Sequence, residues 1–128
     1  MKEKQIRALM VEPMASPKLV TLGNDLDSFQ KAVSVGAPEQ GHIEFVYLED
    51  NVSVMVNEEG KLIGLEPNRR LGDDILCGVF YVVAEDEEGE LVSLTPEQVE
   101  KYSEFFGTFE SITADEIDHA IVVKFYPL

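Results

Sequence analysis

The chain has 128 residues, a single cysteine and a formal net charge of −15. That length suits one domain that buries its own core without disulfide or metal staples. A content of 45% apolar and 27% charged residues is globular rather than disordered. The acidity argues against direct binding to nucleic acid or to an anionic membrane, because both need clustered Lys and Arg.

The charge is unevenly spread. Residues 1–41 carry five acids and five bases, whereas residues 42–128 carry twenty acids and five bases. Such a field favours solubility, or attraction to a basic protein that ordinarily holds nucleic acid. No apolar run approaches the ~20 residues of a membrane helix, and the start MKEKQIRALMVEP has too short an apolar segment for a signal peptide. Together with the lone Cys77, which no second cysteine can pair within the chain, this predicts a reducing, cytoplasmic setting. Cys77 lies within ILCGVFYVV and reads as a small buried hydrophobe rather than a nucleophile.

Gln5 to Glu12 reads as a first strand stopped by Pro13, and Lys18 to Leu22 as a second. Asn24 or Asp25 caps a helix whose stripe is Leu26, Phe29 and Val33, with a stop near Gly36 and a loop from Ala37 to Gly41. From His42 the period becomes two. Ile43, Phe45 and Tyr47 form one strand and Val52, Val54 and Val56 the next, joined at Glu49, Asp50 and Asn51, and at least one of the two is central.

VNEEGKLIGLEPNRRL follows. Its reading is a turn at Asn57–Gly60 with Gly60 at positive φ, a short returning segment from Lys61 to Leu65, and a stop at Pro67. Ile75 to Ala84 reads as one buried middle strand. A hairpin with the acidic tip EDEEGE, Glu85–Glu90, leads back through Leu91, Val92 and Leu94. Thr95, Pro96, Glu97 and Gln98 spell a capping box, opening a helix with Val99, Tyr102 and Phe105 or Phe106 inward and a stop at Gly107. A weaker helical turn starts at Thr113, and Ala120 to Tyr126 reads as a last strand before Pro127. The whole is an α+β domain: one mixed, largely antiparallel sheet of about five to six strands, with two main helices packed on one face.

No catalytic constellation assembles from these residues. His42 and His119 are the only imidazoles, with no nucleophile elbow beside them. One Cys and two distant His cannot build a structural zinc site, and the acidic tip lacks calcium-hand spacing. Neither glycine-rich phosphate motif is present. The reading therefore assigns no cofactor, no metal and no catalytic residue. Its contact candidates are Asn68, Arg69 and Arg70 on the loop after Pro67, and Glu85, Asp86, Glu87 and Glu88 at the hairpin tip. For the arginines, neutralising nearby Glu66, Asp73, Asp74 or Glu58 and pinning the loop outweighs gripping an anion.

VNEEGKLIGLEPNRRL, with ILCGVFYVV and SLTPEQVEKYSEFF after it, resembles a family of small acidic proteins of uncharacterised function from bacteriophages, conjugative elements and related genomes of Gram-positive bacteria. The family opens with a strand ending in valine, glutamate and proline, here Val11, Glu12 and Pro13, and carries an Asn-Glu-Glu-Gly turn and a Leu-Pro-Pro-Asn-Arg segment. The likeness covers residues 5–106. Glu66 departs from it where a proline is frequent, and residues 107–128 form an extension. The resemblance implies a mobile-element accessory protein of a bacterial cytoplasm, with Gly60, Gly64, Pro67, Asn68 and Arg69 in a recurring motif. Three readings follow: a non-enzymatic protein that binds another protein through its acidic surface, including as a nucleic-acid mimic; a small anionic-ligand domain using Asn68 and Arg69; and, least favoured, a carboxylate-dependent enzyme.

Overall fold

A computed structural model describes residues 3–109 and 111–125. Its main sheet contains β1 (Gln5–Val11), β2 (Lys18–Gly23), β3 (Ile43–Glu49), β4 (Val52–Asn57), β7 (Phe80–Glu85) and the short β8 (Leu91–Val92). The order is β2-β1-β7-β4-β3, β8 pairs with β7, and every pairing is antiparallel. β5 (Pro67–Leu71) and β6 (Asp74–Cys77) form a separate antiparallel hairpin. The helices are α1 (Leu26–Ala32), α2 (Pro96–Phe105) and α3 (Ala114–Phe125).

The fold is the α+β, largely antiparallel arrangement that the periodicities predict, with four differences. Ile75 to Ala84 is not one strand: the chain turns at Gly78, whose φ is +83°, leaving β6 in the small hairpin and entering β7 in the main sheet. The returning strand after the Asn57 turn is not Lys61 to Leu65, which stays in turns, but β5, and Pro67 opens it rather than closing what precedes. Ala120 onward is helix instead of strand. Thr113 Oγ1 accepts from Glu116 N while Glu116 Oε2 accepts from Thr113 N, so a second capping box starts α3 and carries it through to Phe125. Tyr126 and Pro127, the end of that predicted strand, lie outside the described residues.

The fourth difference concerns the faces. Strand side chains alternate, so β7 sends Phe80, Val82 and Ala84 one way and Tyr81 and Val83 the other. Tyr102 and Phe106 of the α2 segment pack on the first set with Leu9, Val11, Val52, Val54 and Val56, and Phe80 and Phe106 meet edge to face at 5.1 Å. Phe29 and Val33 of the α1 segment pack on the second set with Ile6, Ala8 and Met55. The helices therefore sit on opposite faces rather than one. Each fully buried Phe or Val contributes about 1.5–3 kcal/mol, so both layers are needed. Leu65, Ile75, Cys77 and Ala120 make a third cluster under α3, which confirms Cys77 as buried.

The capping signals predicted α1 and α2 well. Asp25 Oδ1 accepts from Ser28 N at the start of α1. At the start of α2, Thr95 Oγ1 accepts from Gln98 N and Gln98 Oε1 accepts from Thr95 N. α2 is ten residues and α1 only seven, so the two helices cover unequal lengths of the sheet.

Candidate functional site

The stretch from Val56 to Leu71 is built around buried polar groups. Gly60 is not at positive φ; it is glycine because a Cβ there would lie 2.6 Å from the carbonyl oxygen of Cys77. Beyond it, a register shift between Pro67 and Arg69 breaks the alternation of β5, so consecutive side chains, Asn68 and Arg69, are both buried. Asn68 Nδ2 donates to the carbonyls of Val11 at 2.8 Å and Gly78 at 2.9 Å, and its Oδ1 accepts from Arg69 Nη1 at 2.8 Å.

Arg69 is 5% exposed. Its Nε and Nη2 donate to the carbonyl of Phe106 at 3.1 and 3.0 Å, and Nη2 also to Ala15 at 2.7 Å. The Phe109 ring lies 5.1 Å from the guanidinium carbon. Phe106 is the C-cap of α2, whose last turn holds no basic residue, so Arg69 supplies from another element the positive charge that a helix C-terminus favours. Burial lowers its pKa, yet a guanidinium remains charged at any pH at which the protein folds. The arginine is bonded to main-chain oxygens of Ala15 and Phe106 rather than to the carboxylates of Glu66, Asp73, Asp74 or Glu58 that the sequence offered.

Arg70 points the other way. It is exposed and pairs with Glu116 of α3 at 2.5 Å. Around it Asp73, Asp74, Asp115, Glu116 and His119 border a depression of about 380 Å³. Asp74 is bound by Lys61 at 2.7 Å and Glu116 by Arg70. Among the described residues no three acids, His or Cys converge as a metal site would require.

Glu85, Asp86, Glu87 and Glu88 stand exposed at the β7–β8 hairpin. Asp86 serves the backbone, because its Oδ1 accepts from Glu88 N and Glu90 N and so closes the turn. The carboxylates of Glu85, Glu87, Glu88 and Glu90 have no hydrogen-bond or ion-pair partner among the described residues.

Beside this tip the sheet face beneath α1 is only partly covered. Tyr81 Oη donates to the carbonyl of Ala32, and Asn57 Nδ2 to that of Val33, so α1 closes one end. At the other end Phe45 and Tyr47 of β3, Ser53 of β4, Val83 and Glu85 of β7, and Leu91 border an open groove of about 360 Å³. Phe45 is 47% and Tyr47 68% exposed. The alternation of Ile43, Phe45 and Tyr47 gave the strand and hid these two: it shows that they share a face, not that a seven-residue helix is too short to cover them.

Four cations of the acidic part of the chain are engaged within the protein. Lys61 holds Asp74, Arg69 the carbonyls, Arg70 Glu116, and Lys101 Glu49. Glu49 also accepts from Tyr102 Oη at 2.7 Å. Lys101 first, then Tyr102, hold the Glu49 carboxyl below its usual pKa, while burial and that same hydrogen bond push the Tyr102 phenol up and keep it a donor.

Among the described residues no helix is long and apolar enough to cross a membrane. No curated protein and no solved structure matches the chain. A family model described as a domain of unknown function, DUF3846, matches residues 6–107, from β1 through the end of α2 and without α3, and the chain belongs to that family.

Proposed function

We propose that the protein is a non-enzymatic binding module that engages a basic protein through the groove between Phe45, Tyr47 and the acidic hairpin. The observation that carries this reading is one groove lined by two exposed aromatic side chains and by Glu85 and Gly89 of the acidic hairpin, whose glutamates have no side-chain partner among the described residues. Exposed aromatics beside an unneutralised rim match the anatomy of an interface: rings supply buried area and charge supplies steering and register. The Asn68–Arg69 pair is structural in this account, because its donors already bond main-chain oxygens that an anion would have to displace. The mobile-element setting implied by the sequence resemblance fits an accessory protein of this kind, and a partner that normally holds nucleic acid would be released by competing duplex DNA.

The test uses a fluorescent peptide that alternates lysine and valine, titrated against the wild-type chain at rising salt. Binding is expected at low salt and should weaken as the Debye length shortens. It should also weaken by about tenfold or more in a Phe45→Ser, Tyr47→Ser variant, and separately in one with Glu85, Glu87, Glu88 and Glu90 changed to Gln. Binding that ignores the two aromatic positions would reduce the region to a non-specific acidic surface and sink the reading.

A further inference from the structure

β3 is the last strand of the main sheet on its side, and no strand among the described residues pairs with its outer edge. The hydrogen-bond phase of that edge follows from the register. Glu58 N donates to His42 O, and His42 faces Glu58 one step beyond the Ile43–Asn57 pair. In an antiparallel ladder bonded and non-bonded pairs alternate, so His42, Glu44 and Val46 turn their main-chain groups toward β4. Ile43, Phe45 and Tyr47 consequently turn theirs outward. The same phase recurs across β4, where Glu85 N donates to Asn51 O.

Edges of this kind invite another strand unless they are blunted by lysine, proline, a bulge or a cover. The opposite edge, β2, opens with Lys18 and lies in the part of the chain with balanced charge. β3, IEFVYLE, has no Lys, Arg or Pro; its blunting devices are Glu44, Glu49 and a register shift after Tyr47, none of which removes the outward main-chain groups of Ile43 and Phe45. That leaves a template from Ile43 to Tyr47. Exposed acids flank it at both ends: Asp50 in the turn to β4, and Glu58 and Glu59 beside His42.

We infer that the partner of this module supplies an extended segment, basic at both ends and apolar at alternate positions between them, that adds to β3 as a further strand. Main-chain bonds to Ile43, Phe45 and Tyr47 give the affinity. Residues directly opposite Phe45 and Tyr47 send their side chains over the same face, across the groove, while flanking Lys or Arg meet Asp50 at one end and Glu58 and Glu59 at the other. Adjacent strands lie about 4.8 Å apart, so a side chain on the added strand reaches the aromatic pair without any rearrangement of the sheet.

This mode rests on the binding reading above, and the experiment separates the two. A valine–threonine peptide flanked by lysines is compared with the same peptide N-methylated at alternate residues, so that one edge of its backbone loses its donors. Two peptides methylated in the two alternate phases cover both registers. The unmodified peptide should bind and slow hydrogen exchange at the Phe45 and Tyr47 amides while leaving the exposed Thr21 amide of β2 unchanged. One methylated phase should bind at least about tenfold more weakly, because ladder bonds are lost, and the other should bind nearly as well. Equal binding by all three peptides, or no added protection at Phe45 and Tyr47, overturns strand addition and leaves the acidic groove intact as a binding site. Failure of every peptide to bind, together with failure of the lysine–valine peptide, overturns both.

Discussion

Two segments of this chain are equally conspicuous for charge, and the fold treats them in opposite ways. The Asn68–Arg69 pair is buried, with its polar atoms bonded to carbonyls from three other parts of the chain. The Glu85–Glu90 tip projects into solvent, and only Asp86 serves the backbone. Desolvation separates them: a buried cation must be satisfied by fixed acceptors or it unfolds the region, whereas exposed carboxylates are satisfied by water and tolerate exchange. Changes at the buried segment should therefore register first in stability, and changes at the exposed one should leave the fold intact.

The sharpest way to break that contrast is at Arg69. Its replacement by Ala should destabilise the fold by about 3 kcal/mol or more in urea unfolding, because the Ala15 and Phe106 carbonyls lose their donors. Arg69→Lys should recover only part of this, since one ammonium cannot reproduce the fork. A loss below about 1 kcal/mol for Arg69→Ala would mean that water replaces the guanidinium and the pair is no knot.

Gly78→Ala comes next. The residue sits at φ +83° and an added Cβ would lie 2.8 Å from Leu65 Cδ1, so a cost of about 1–3 kcal/mol is expected in thermal unfolding. Thr95→Ala should cost about 1 kcal/mol by removing one half of the α2 capping box. Glu87→Gln with Glu88→Gln should change stability by no more than about 0.5 kcal/mol while weakening peptide binding. A large stability loss from that pair would erase the distinction between the two segments.

Acid gives a local test. The backbone hydrogen bond from Thr113, and then Arg70, hold the Glu116 carboxyl below its ordinary pKa. A depressed carboxylate pKa contributes stability that is present above the unfolded value and lost as pH falls through the folded one. The start of α3 should therefore loosen in acid before the main sheet does, seen as earlier loss of amide protection at Glu116 and Ile117 than at Val82.

Much of this was legible in the sequence, and the parts that were not have identifiable causes. The capping residues at Thr95 and Gln98 and the Glu85–Glu90 turn are local chemistry, which sequence states directly. Gly78 lies inside ten residues that are apolar nearly throughout, and a run buried on both sides carries no period to show that it changes sheets. Ala120 and the residues after it are rich in β-branched side chains, which fit a strand, but the capping box at Thr113 had already set the helix. The burial of Arg69 escaped because its acceptors are backbone oxygens at Ala15 and Phe106, which leave no mark on side-chain spacing. The open half-face beside Phe45 and Tyr47 depends on the length of α1, a relation between elements rather than within one.

The Arg69 knot also bears on how the chain assembles. Its acceptors lie 54 residues before it and 37 after it, so the guanidinium cannot exchange water for protein until the exit of β1, the kinked β5 and the end of α2 have all met. Desolvating it any earlier is penalised, so this closure should come late in folding, read as a low φ-value for Arg69→Lys. Arg69 thereby couples the exit of β1 and β5 to the C-terminal end of α2, so the layer that Phe106 packs on is tied to the small hairpin by one side chain.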